Sequence, residues 1–195
     1  MGKKLFLALL FFLLAGDCAA ASSAAVGDGT VEHADRAANF RLKTCAAWDR
    51  LAVTETRVGK NPAWIVRFCQ AGQTAPDPSF ALQSVNGGKD EDLRQTCADF
   101  AGGYAGAILA QLLDAERNAP SLPGFAVTAS EVKKAGGNEY ILLKFEDGAR
   151  RQAIYRVMTA MGKYVYSFSF RADASAHPDF GKNLELMLET LRPFK

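Results

Sequence analysis

Apolar and polar positions alternate most regularly between Gln152 and Arg171. Tyr164, Tyr166, Phe168 and Phe170 fall on one side of this run, and Val165, Ser167, Ser169 and Arg171 on the other. A period of two in β-branched and aromatic sequence predicts a half-buried strand, and Met161, Gly162 and Lys163 predict the turn joining it to the strand before. Four large rings on one face require an apolar layer opposite them. Each ring left in water would forfeit about 1.5–3 kcal/mol.

The same reading extends along the chain. Alternation predicts strands at Asn39–Cys45, Val53–Val58, Ala63–Cys69 and Phe80–Val85, with Trp48, Asp49 and Arg50 in a turn. Leu93, Cys97, Phe100, Tyr104, Ile108 and Leu112 recur at spacings of three and four, which predicts one long amphipathic helix capped by Asp90. Gly102, Gly103 and Gly106 interrupt its middle at a cost in helix propensity, and close approach to a sheet is the expected compensation. Beyond Pro120 and Pro123, strands at Phe125–Lys133 and Glu139–Glu146 lead through the Asp147-Gly148 hairpin signal into the central pair. A last helix, Asp179–Leu191, stops at Pro193. Both faces of Tyr140–Phe145 are mostly apolar. The expected fold class is therefore α+β, an antiparallel β-sheet flanked by helices on both faces, an α/β/α sandwich.

The order of elements, a short strand before Trp48, paired strands, a helix, a glycine-turned meander through YVYSFSFRAD and a closing helix, resembles the PsbP-like sandwich. Exported bacterial proteins of the DcrB type are similar. The resemblance covers Asn39 to Lys195. It implies a binding or assembly factor, and it carries no family active site onto these positions.

Composition adds a compartment. Lys3 and Lys4 precede an apolar run from Leu5 to Ala15, followed by small residues, the pattern of a cleaved secretory signal. Residues 1–21 are expected to be the signal peptide, 22–38 a flexible lead-in and 39–195 a single domain. The apolar run is too short for a stable membrane span, and Asp17 before Cys18 disfavours lipidation there. The periplasm is the expected location. The formal charge is +2 with no basic block, which gives no support for a nucleic-acid partner. Export places Cys45, Cys69 and Cys97 in an oxidising compartment, where a Cys45–Cys69 disulfide bond is expected, with Cys97 left as a free buried thiol. A Cys45–Cys97 bridge is the competing pairing.

Candidate chemistry is sparse. His33 lies in the expected lead-in. His177, beside Asp173 and Asp179, suggests a helix cap before it suggests a metal site, so neither a metal nor a cofactor is expected. No Gly-x-Ser-x-Gly elbow accompanies His177, which leaves a hydrolase a minor reading and catalytic residues unassigned. Trp48 is a candidate interface anchor. Tyr104 and Tyr166 are candidates to line a cavity between sheet and helix. The expected function is that of an exported, non-enzymatic accessory or protein-binding domain of the bacterial envelope with an envelope or secreted protein partner. A periplasmic small-molecule or metal-binding protein is the alternative.

Overall fold

The computed structural model describes residues 24–26, 29–46, 48–70, 80–149, 152–173 and 180–194. The expected signal peptide, Cys18 and His177 lie outside the described residues. Strands β1 (Ala24–Val26), β2 (Thr30–Asp35) and β3 (Phe40–Cys45) form one antiparallel sheet. A second sheet has seven strands: β4 (Trp48–Val58), β5 (Asn61–Gln70), β6 (Phe80–Asn86), β7 (Ala126–Ala135), β8 (Asn138–Asp147), β9 (Gln152–Met161) and β10 (Tyr164–Asp173). Its spatial order is β4-β5-β6-β10-β9-β8-β7, every neighbouring pair antiparallel. Two meanders thus meet where β6 lies against β10. Helices α1 (Glu91–Ala101) and α2 (Ala105–Asn118) connect the meanders, and α3 (Phe180–Thr190) closes the chain.

The large sheet has a core on each face, as the two-sided hydrophobicity of β8 requires. On one face Tyr166, Phe168 and Phe170 join Tyr140, Phe68, Leu82 and Trp48 beneath Leu184, Met187 and Leu188 of α3 and Phe40 and Leu42 of β3. On the other, Val165, Ile141, Leu143, Phe145 and Ile154 meet Leu93, Cys97 and Phe100 of α1 and Ile108 and Leu112 of α2. The molecule is an α/β/α sandwich in which one outer layer is part helix and part sheet.

That mixed layer corrects the expected lead-in at 22–38, since β1 and β2 occupy much of it. The reason lies in β2, where Val31 and His33 are buried and alternate with exposed neighbours. His33 Nε2 meets Thr44 Oγ1 at 2.8 Å, and the imidazole stands edge-on to Phe68 at 5.0 Å. The outer edge of β3 is satisfied by α3 and the residues after it. Arg41 and Arg192 exchange backbone hydrogen bonds of 2.8 and 2.9 Å, Lys43 N donates to Thr190 Oγ1, and Cys45 N donates to Asn183 Oδ1. Trp48 to Arg50 are not a turn but the start of β4, with a register irregularity between Arg50 and Ala52.

The disulfide bond is likewise corrected. Cys45 and Cys97 are both free thiols. Cys45 belongs to the small sheet and packs against the aromatic core, whereas Cys97 packs on the opposite face of the large sheet. The seven-stranded sheet lies between the two residues of the competing pairing. Cys69 sits in β5, and β3 and β5 are in different sheets, so the expected strand-to-strand register linking Cys45 to Cys69 does not exist.

Candidate functional site

The long helix expected from Asp90 begins as predicted, with Asp90 Oδ1 accepting from Leu93 N at 3.1 Å. It does not continue to Leu112. Gly103, at φ +79, ends α1: Gly103 N donates to Phe100 O, and Tyr104 N donates to Asp99 O. These two bonds are the Schellman arrangement, which needs a left-handed residue that glycine adopts without strain. A Cβ at Gly103 or Gly106 would meet nothing within 4 Å, so close approach to the sheet is not what these glycines serve.

The break changes the fate of Tyr104. The buried stripe runs through Leu93, Cys97 and Phe100, then resumes at Ala105, Ile108 and Leu112. Tyr104, expected inside it, is turned out and 63% exposed, the most exposed large hydrophobic residue described. Its ring lies over Gly102, where an added Cβ would come within 2.7 Å of it. Around it the exposed positions are Ala101, Gly102, Gly103, Gly106, Ala107 and Ala110, and no charged residue occurs from Phe100 to Leu113. The result is a low, uncharged surface with one projecting aromatic ring, fixed by backbone hydrogen bonds.

Beneath α2 the sheet buries charge. Arg156 of β9 shares its face with Ile154 and Met158, and its Nη1 donates to Ser121 Oγ at 2.9 Å. Ser121 N in turn donates to Glu116 Oε2 at 2.9 Å, while Glu116 Oε1 is buried with no hydrogen-bond partner among the described residues. The guanidinium also stands 5.1 Å from the centre of the Phe145 ring. Burial pushes Arg156 down to about 10 and the charge of Glu116 opposes that shift, so the guanidinium stays protonated at neutral pH. A cavity of about 10 Å³, lined by Arg156, Ser167, Leu112, Ile141, Leu143, Val157 and Met158, adjoins it. That is room for about one water, far below the roughly 300 Å³ at which small-molecule pockets begin.

The candidate residues are not brought together. Trp48 is 4% exposed and belongs to the aromatic core, so it is no surface anchor. Tyr166 is fully buried on that same face. Its hydroxyl donates to Asn39 O at 2.7 Å, holding the turn in which Asn39 adopts φ 54, and burial raises its pKa above the ordinary tyrosine range. Tyr104 stands beyond the opposite face, so Tyr104 and Tyr166 do not line one cavity. Cys97 is buried, as expected of a free thiol in a helix stripe. Among the described residues no cluster of three or more His, Cys, Asp or Glu side chains could hold a metal. No described helix is long and apolar enough to cross a membrane. The Arg156–Ser121–Glu116 network went unread in the sequence, although alternation in AIYRVM places Arg156 on an apolar face.

No family model matches the chain, and no curated protein matches it by sequence. Solved structures do. A Bacteroides thetaiotaomicron protein is 14% identical with a TM-score of 0.48, matching 84% of this chain and 48% of its own, so this chain spans about half its length. A Pseudomonas aeruginosa protein of unknown function, described as a putative regulator, is 15% identical over 73% of this chain and 98% of its own, with a TM-score of 0.42. Cyanobacterial PsbP from Synechocystis sp. PCC 6803 is 12% identical over 89% of this chain and 98% of its own, with a TM-score of 0.50. The resemblance inferred from element order therefore holds at the level of fold: this chain has a PsbP-like α/β/α sandwich.

Proposed function

We propose that the protein is an exported, non-enzymatic accessory domain of the bacterial cell envelope that works by binding another protein, with Tyr104 as the anchor of the contact. The observation that carries this reading is the α1–α2 corner: a tyrosine 63% exposed and ringed by small uncharged residues. Interface centres are depleted of charge and enriched in aromatic residues, and tyrosine is among the residues that most often dominate binding energy. The basic and apolar start of the sequence supports export, and the fold fits a domain that offers surfaces in preference to an interior site.

Photocrosslinking tests the contact. A benzoylphenylalanine placed at position 104 of the full chain in its native host should yield one adduct of defined mass. Ala107→Arg, which sets a charge beside the ring, should abolish it. Tyr104→Ala should weaken partner capture at least about ten-fold while changing unfolding free energy by no more than about 0.5 kcal/mol. Photolysis that returns only the unmodified chain would sink the proposal.

A further inference from the structure

The two sheets end differently. β3 has its outer edge satisfied by Asn183, Thr190 and Arg192, whereas among the described residues β7 ends the large sheet with β8 on one side only. Ala129, Ser130, Glu131, Val132 and Lys134 of β7 are exposed, so the middle of the strand lies toward water, while Lys133 and Ala135 are partly covered. Val132 is 36% exposed, an apolar side chain left toward water on the α1/α2 side, since it pairs with Ile141. Glu131 and Lys133, opposite Leu142 and Tyr140, lie on the α3 side, where Lys133 Nζ reaches Glu185 at 2.9 Å.

We propose that a second copy of this chain adds its own β7 antiparallel to this edge, about a two-fold axis at Val132, joining two sheets into one. The register follows from the strand itself. A two-fold axis perpendicular to a continuous sheet keeps each side chain on its own face, so the axis must pass through a residue position and not between two. Pairing with β8 shifts register between Val127 and Ala129, which leaves Ala129–Ala135 as the regular length. Val132 is its midpoint. Centred there, every residue from Ala129 to Ala135 finds a partner: Val132 meets its own copy, Glu131 meets Lys133 twice, and Ser130 meets Lys134. Centring on Glu131 would oppose two carboxylates and centring on Lys133 two ammonium groups, both destabilising across strands. Edge lysines ordinarily discourage such pairing. In this register each lysine faces an acid or a hydroxyl, and the half-exposed pair with Glu185 is too weak to hold Lys133 back.

Sedimentation velocity on the full chain tests the junction. A seam of two strands falls at the small end of specific interfaces, so dimer is expected at about 50 µM with dissociation on dilution. Val132→Lys and Glu131→Lys should each weaken association at least about ten-fold, because each sets like charges face to face. Glu131→Lys combined with Lys133→Glu exchanges the charges without changing their pairing and should restore the dimer. A wild-type chain that remains monomeric at that concentration overturns the proposal. So does a dimer that Glu131→Lys leaves intact, or one that the double exchange fails to restore.

Discussion

The two faces of the seven-stranded sheet are closed by different chemistry. Toward α3 the sheet presents rings with hydroxyl handles. Tyr140 donates to Leu188 O and Tyr166 to Asn39 O, each at 2.7 Å, so buried phenols tie the sheet to the layer above it. Toward α1 and α2 the filling is mainly aliphatic, the Arg156 guanidinium and the Glu116 carboxylate are buried, and a water-sized cavity remains. Rings held at both ends fix a single geometry. Shorter side chains beneath a helix pair tolerate a break in the helix, and the break is what turns Tyr104 outward. The aromatic packing and the proposed contact at Tyr104 thus fall on opposite sides of one sheet.

The largest expected effect compares the two packings directly. Phe168 is fully buried among rings, and Phe168→Ala should cost about 3–5 kcal/mol. Leu112 is also buried, yet it borders the cavity, where contacts are already incomplete. Leu112→Ala should stay near the low end for leucine truncation, about 2–3 kcal/mol. Urea unfolding of both variants measures the difference. Equal costs would show that the helical face is as tightly filled as the aromatic one.

The buried charges of the helical face give the next effect. Arg156→Met leaves Glu116 buried with no compensating cation and should cost about 3 kcal/mol. Adding Glu116→Gln removes the stranded charge while keeping an oxygen that can accept from Ser121 N. The double variant should therefore be more stable than Arg156→Met alone, a coupling that a double-mutant cycle reads out. If the second change lowers stability further, the network contributes through packing and not through charge.

This division was only partly legible in the sequence. The aromatic alternation of β10 fixed which rings face inward because strand periodicity is geometric, and Tyr166, Phe168 and Phe170 lie where it placed them. The α1–α2 corner was hidden by the same kind of signal. Tyr104 keeps helical spacing with Phe100 and Ile108, and only the conformation of Gly103 removes it from the stripe. Trp48 misled in the opposite direction, since Trp-Asp-Arg resembles a turn until pairing with Gln70 draws it into β4. β2 was missed because its buried positions are Val31 and His33. A histidine whose imidazole is satisfied by Thr44 gives no apolar alternation to read. Cysteine pairing depends on which strands neighbour one another, and no local pattern contains that information.

Alkaline pH separates the faces by a smaller margin. Burial pushes the Cys97 thiol from 9.0 up to about 11 on the helical face, and Tyr140 from 10.0 up to about 12 on the aromatic face. In each case the unfolded chain ionises first. It then binds fewer protons than the folded chain, and stability falls as pH rises. Between pH 9 and 10 the thiol contributes the larger part of this loss, about 1 kcal/mol, because an unfolded tyrosine reaches half-ionisation only at the top of that window. Cys97→Ala should remove that part, leaving the shallower decline that buried Tyr140 and Tyr166 produce. Unfolding curves at closely spaced pH values decide the matter. An unchanged slope in the alanine variant would show that the thiol is solvated in the folded protein, and that the helical face is looser at α1 than its buried stripe implies.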